Sequence, residues 1–133
     1  MPKCRINNII LLALLIITTF LHLSLSELCD PNDKKVLLQI KQAFNNPHVF
    51  SSWNPSTDCC INNHRGGWNS VACDEKTHRV AAIFVLEKGD LAGPIPPQVS
   101  DLPYLEEIEF HKQPNLTGPI PHSLTKLRSL KYV

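Results

Sequence analysis

Leu91-Ala92-Gly93-Pro94-Ile95-Pro96 returns 25 residues later as Leu116-Thr117-Gly118-Pro119-Ile120-Pro121. Sliding the chain by that offset aligns more than the six-residue box. Val80, Ile83, Val85, Leu91, Ile95, Val99, Leu102 and Leu105 fall on Leu105, Ile108, Phe110, Leu116, Ile120, Leu124, Leu127 and Leu130. Apolar positions held in register at one spacing mark a chain built from stacked copies of one unit, each burying its apolar side against the next.

The spacing within the unit assigns its parts. In the second copy Ile108 and Phe110 lie on one side of a short strand, and Glu107, Glu109 and His111 on the other. Gly118 with Pro119 and Pro121 turns the chain and holds it extended, because proline fixes φ and donates no hydrogen bond. Leu124, Leu127 and Leu130, at steps of three, suit a tight helical turn on the outer surface. A period in the twenties with L-x-x-L-x-L spacing is that of a leucine-rich repeat. The predicted fold is therefore an α/β repeat, a leucine-rich-repeat solenoid with parallel strands on its concave face and short helical turns on its convex face. The Gly-x-Ile-Pro box resembles the plant extracellular subtype, although each copy carries one residue more, before Leu91 and Leu116.

The start of the chain reads as a secretory signal over residues 1–26. Lys3 and Arg5 precede an apolar run from Ile9 to Ile17, and Ser24-Leu25-Ser26 offers small residues for cutting before Glu27. The alternative is a membrane anchor, for which the uninterrupted run is short. Residues 27–133 keep 11 Lys and Arg (13 less Lys3 and Arg5) against 12 Asp and Glu, and nothing in that balance points to nucleic acid or an anionic membrane. Cys4 goes with the signal, leaving Cys29, Cys59, Cys60 and Cys73 in an oxidising compartment.

A cap is expected over 27–78, followed by repeats at 79–104 and 105–129 and the opening of a third at 130–133. Asp30 caps a helix with Pro31 in its first position and acidic Asp33 in its first turn. Val36, Leu37, Ile40, Ala43 and Phe44 form its apolar stripe, with Lys34, Lys35, Lys41 and Gln42 outside, and Asn45-Asn46-Pro47 stops it. Such a stripe is core more often than a membrane-surface face; here it would close one end of the stack. Four cysteines allow three pairings, of which the one joining neighbours Cys59 and Cys60 would be strained. Each disulfide could contribute roughly 3 to 4 kcal/mol by loop entropy. A zinc site using these thiols with His64 and His78 lacks paired C-x-x-C spacing, so no metal or cofactor is expected.

The residues of the cap also resemble a known family. Glu27-Leu28-Cys29, Leu37-Leu38-Gln39-Ile40-Lys41, Ser51-Ser52-Trp53 and Thr57-Asp58-Cys59-Cys60 are similar to the start of the plant polygalacturonase-inhibiting proteins, the tandem cysteine being the most specific feature. Leu102-Pro103-Tyr104-Leu105 and Asn115 to Pro121 resemble that family's early repeats. The resemblance spans residues 27–133 and implies the pairing Cys29–Cys59 with Cys60–Cys73. Three features depart from the family: an apparent insertion around Asn62 to Gly66, Ser70 where a glycine is expected, and an apolar free face at Ala81, Ala82, Phe84 and Leu86. Such inhibitors also carry many more repeats, whereas this sequence stops at Leu130-Lys131-Tyr132-Val133. That ending reads as the N-terminal part of something longer or as a truncated product, and Leu124, Leu127 and Leu130 are expected to have nothing to pack beneath.

The resemblance implies a protein secreted to the cell wall or apoplast. It would bind a microbial or insect polygalacturonase, with cell-wall pectin a further partner, and no membrane once the signal is removed. The partner-binding positions expected on the concave face are Ala82, Phe84, Leu86, Glu107, Glu109 and His111, with Lys112 beside them. Asn115-Leu116-Thr117 is a glycosylation sequon, whereas proline blocks Asn54-Pro55-Ser56. Glu107 and Glu109 invite a glycosidase reading, but carboxylates two apart on an open strand are ordinarily solvated, and the histidines have no nucleophile in a recognisable arrangement beside them. No enzyme is expected. The alternatives of a different kind are the start of a leucine-rich-repeat receptor ectodomain and an inactive remnant.

Overall fold

The computed structural model describes residues 3–23, 27–60 and 67–133. The expected cleavage site at Ser24 to Ser26 and the apparent insertion, with His64, lie outside the described residues. Helix α1 (Lys3–Leu23) leaves Ile9, Leu12 and Leu15 more than half exposed. Among the described residues, no helix is long and apolar enough to cross a membrane.

Helix α2 (Pro31–Ala43) starts where its cap dictates: Asp30 Oδ1 accepts from the amides of Asn32 (2.9 Å) and Asp33 (3.2 Å). It ends because Asn45 and Asn46 turn left-handed at φ 61° and 54°, a conformation asparagine tolerates. Leu37, Ile40 and Phe44 are buried, but the stripe differs from the periodic expectation at two places. Ala43 is exposed. Lys34, expected outside, is buried, its Nζ donating to Glu27 Oε1 (2.6 Å) and to the Pro55 carbonyl (2.7 Å). A lysine whose stem packs and whose head finds fixed oxygens can go under a loop that hydropathy alone would keep it from.

Against α2 lies a run of aromatic rings. Phe50 stacks on Trp53 at 3.9 Å between centroids and Trp53 on Trp68 at 5.7 Å, while Phe44 meets Phe50 and, edge-on, Phe110, each at 6.2 Å. Trp53 and Trp68 could be buried because each indole N–H has an acceptor, the Asn69 carbonyl (2.7 Å) and Thr57 Oγ1 (2.8 Å). The contact with Phe110 carries the cap's core into the second repeat.

Three strands form the main sheet in the order β1 (Val71–Cys73), β2 (Val80–Val85), β4 (Glu107–Phe110). Strand β2 pairs with β4 in parallel, Ile83 opposite Ile108 and Phe84 opposite Glu109. This register is the 25-residue repeat itself, and an isolated bridge from Glu107 to Tyr132 extends it by one further 25-residue step. The fold is a leucine-rich-repeat stack behind a disulfide-bonded cap. Two pairings were not anticipated: β1 runs antiparallel to β2, and β3 (Ala92–Gly93) pairs with β5 (Asn115–Leu116) in a second small sheet. The Gly-Pro segments were expected to turn the chain and hold it extended, with no pairing between copies. Gly93 and Gly118 do turn left-handed, at φ 84° and 80°.

On the convex side, tight 3-10 turns at Pro97–Asp101 and His122–Lys126 pack on one another. Of the three leucines spaced by three, only Leu124 lies in the turn, and Leu127 and Leu130 follow it. The expectation that they lack packing is corrected: Leu124 and Leu127 are buried against the preceding unit and Leu130 is half-buried. Coverage nevertheless falls from copy to copy, since Ile95 is half-buried and its counterpart Ile120 is 62% exposed. A solenoid unit hides its side chains under the next one.

Ser70 adopts φ 67°, the left-handed region in which a Cβ is crowded, where the resemblance expects glycine. Ser70→Gly is expected to raise stability by about 0.5 to 1 kcal/mol, the relieved strain exceeding glycine's extra chain entropy. Urea unfolding at unchanged slope measures it.

Candidate functional site

The parallel register decides what the concave face presents. On β2 and β4 the residues facing the stack include Val80, Ile83, Val85 and Ile108, which are buried, and Phe110, which is half-buried. The alternate set places Ala82 beside Glu107 and Phe84 beside Glu109. Ala82, Phe84 and Glu107 are half-buried and Glu109 is exposed. Leu86, His111 and Lys112 lie past the strand ends, all exposed, with Lys112 turned left-handed at φ 54°. The structure thus brings four of the seven positions onto two paired strands and sets the other three on the loops that continue them.

The acidic cluster does not act as one group. Glu106 leaves it to pair with Lys131 (2.7 Å), and the hydrogen bond that Lys131 Nζ donates to that carboxylate holds the ammonium above its ordinary pKa. Glu107 and Glu109 share the open face of a single strand, a geometry suited to meeting a partner's donors.

The loops after the strands are set by residues that the sequence reading passed over. Gln113 Nε2 donates to the Glu87 carbonyl (2.8 Å) and the His111 carbonyl (2.9 Å), joining consecutive units. Gly89 makes room for it, since a Cβ there would sit 2.6 Å from Gln113 Oε1. The extra residue before each Leu-x-Gly box was the available signal. Asp90 accepts from the amides of His48 (2.6 Å) and Val49 (3.2 Å), fastening the cap to the loop after β2. Burial pushes its carboxyl up, but the two amides outweigh that and hold it below its ordinary value.

Beneath the site the cap is tied by two disulfides, Cys29–Cys59 and Cys60–Cys73, each with Cα atoms 5.4 Å apart. Asp58 joins them: its carboxylate accepts from the amides of Leu28, Cys29 (3.2 Å) and Cys60 (2.8 Å). The sulfurs of Cys29, Cys59 and Cys60 lie within 4.8 Å of one another, a closeness that follows from adjacent disulfides, whereas a metal would need thiolates. A second buried junction sits behind β2. Asp33, 1% exposed, accepts from Arg79 Nε (2.8 Å), Arg79 Nη2 (2.7 Å) and the Val80 amide (3.0 Å). The hydrogen bond to Asp33 raises the Arg79 pKa, and the guanidinium lies 4.4 Å from the Tyr104 ring centroid. The sequence places Asp33 in the first turn of α2, and the structure makes it an internal charge.

Comparison with known proteins agrees with this architecture. Residues 30–74 match the family model described as leucine rich repeat N-terminal domain. The chain is 50% identical over 117 residues to a polygalacturonase inhibitor of Pyrus communis, covering 88% of this chain and 33% of that protein. It is 53% identical over 110 residues to one of Vitis vinifera, covering 83% and 31%. It is 44% identical over 111 residues to the leucine-rich repeat protein FLOR 1 of Arabidopsis thaliana, covering 84% and 32%. Among solved structures, a plant ice-binding protein superposes with a TM-score of 0.71 at 44% identity, covering 80% of this chain and 32% of that one. The chain spans about a third of the length of the curated relatives it matches.

Proposed function

We propose that this chain, a leucine-rich-repeat relative of the polygalacturonase inhibitors, contributes a concave protein-binding surface that engages a microbial or insect polygalacturonase non-covalently and obstructs its substrate cleft. The observation that carries this reading is the paired row on the concave face: half-buried Ala82 and Phe84 register with half-buried Glu107 and exposed Glu109, on a chain 50% identical over 117 residues to such an inhibitor. Apolar and acidic side chains side by side offer burial and charge pairing to one partner surface at once. Leu86, His111 and Lys112 extend the row along its loops. The likeness to an ice-binding protein supports the fold and not the ligand.

The test is binding of the secreted, disulfide-bonded protein to immobilised fungal polygalacturonase. A Phe84→Ala/Glu109→Lys double variant is expected to bind at least about tenfold more weakly, as loss of a central anchor and reversal of a charge would produce. Unchanged binding would place the interface elsewhere.

Residues 1–26 are proposed to direct secretion and be removed, leaving Glu27, paired with Lys34, as the first residue. Asn115 is proposed to carry an N-linked glycan. Its side chain is exposed at the start of β5 on the flank of the stack, clear of the strand row. Protein secreted from plant cells should lose the mass of one glycan on glycosidase treatment; an unshifted mass would contradict the assignment.

A further inference from the structure

An open depression of about 470 Å³ lies where the cap meets the first repeat. Its size falls in the roughly 300 to 1,000 Å³ range of small-molecule sites. Phe84, Leu86 and Val49 are its apolar lining residues, and His48, Ser51, Asn69 and Glu87 are polar residues that line it. The fold uses Asn69 and Glu87 through their main chains. The Asn69 amide donates to Ser52 Oγ (2.9 Å), its carbonyl accepts from Trp53, and the Glu87 carbonyl accepts from Gln113. The side chains of Ser51, Asn69 and Glu87 are left exposed to solvent, held in place by a backbone that is itself tied down.

We propose that this depression binds a neutral pyranose unit of a cell-surface or cell-wall polysaccharide. The inference does not rest on polygalacturonase binding, but the depression shares Phe84 and Leu86 with the strand row proposed to bind that enzyme. A pyranose has one face of C–H groups and a rim of hydroxyls, so it can lie against an aromatic ring while its edge exchanges hydrogen bonds. The serine hydroxyl and the asparagine amide each donate and accept, and the carboxylate accepts from hydroxyls. A purely apolar occupant would leave these groups desolvated and unpaired. A uronate whose carboxylate faced Glu87 would meet a like charge, which adds to the preference for neutral sugars. The depression therefore selects neutral sugars over the galacturonate backbone of pectate.

The test uses the secreted protein with β-1,4-galactotetraose, cellotetraose and tetragalacturonate, observed by saturation-transfer NMR and titration calorimetry. At least one neutral oligosaccharide is expected to bind in the millimolar range and to outcompete tetragalacturonate. Asn69→Ala should weaken that binding at least about fivefold through the lost amide contacts, and Glu87→Lys should shift preference toward tetragalacturonate. Near-UV circular dichroism of the stacked tryptophans verifies that each variant is folded. Asn69 lies outside the exposed strand row, so Asn69→Ala should leave polygalacturonase binding unchanged. The proposal is overturned if neither neutral sugar binds, if tetragalacturonate binds the wild type as well or better, or if Asn69→Ala weakens polygalacturonase binding alone.

Discussion

Asp33→Ala is expected to lower stability by about 3 kcal/mol, because it strips the half-buried Arg79 guanidinium and the buried Val80 amide of their shared acceptor rather than removing a surface charge. Asp33 satisfies two guanidinium nitrogens and the Val80 amide, and Val80 begins β2. Without it, Arg79 retains a distant approach to Asp30 (3.9 Å) and the Tyr104 ring, and the Val80 amide is left buried. For a domain of this size the midpoint of thermal unfolding should fall by more than about 10 °C. An Asp33→Leu/Arg79→Met double variant should recover part of that loss, since apolar replacements remove the unpaired charge while the Val80 amide stays without its acceptor. Calorimetry of the three proteins decides. A loss below about 1 kcal/mol for Asp33→Ala would place the pair among solvent-screened ones and contradict its role.

Residues 27–133 alone are expected to inhibit polygalacturonase poorly or not at all. The face has two paired strands and one bridging residue, Tyr132, so few side chains can reach a partner together. Specific interfaces bury about 1,200 to 2,000 Å² in total, and association first loses roughly 4 to 15 kcal/mol of translational and rotational freedom. Titration against fungal polygalacturonases, reading reducing ends released from pectate, measures the outcome. Sub-micromolar inhibition that vanishes on Phe84→Ala would show that two strands suffice.

Much of the stack was legible because the repeat offset is also the strand register: aligning Ile83 with Ile108 in sequence aligned them in space. The cap helix was legible from Asp30, Pro31 and the paired asparagines, whose signals are local. The long-range junctions were not. Asp33 of the cap meets Arg79 across 46 residues, and within the cap Asp58 meets Cys29 across 29, separations over which periodicity says nothing. Helical periodicity put Lys34 outside, where charges ordinarily lie, and a first-turn position gave no sign that Asp33 is internal; partners fixed elsewhere in the fold bury both. The β1–β2 pairing was missed because Val71-Ala72-Cys73 is too short to show alternation. Of the candidate site, the strand positions followed from period two, whereas Gln113 and Asp90, which set the loops bearing Leu86, His111 and Lys112, follow only from three-dimensional contact.

The most direct test of the central claim, that the exposed β2 and β4 row is the protein-binding surface, is backbone NMR of labelled 27–133 titrated with a fungal polygalacturonase. Weak binding suffices for this reading. Perturbed amides are expected to cluster at Ala82, Phe84, Leu86, Glu107, Glu109, His111 and Lys112 and to spare the convex turns at Pro97–Asp101 and His122–Lys126. Perturbations confined to those convex turns, or none at saturating enzyme, would contradict the account.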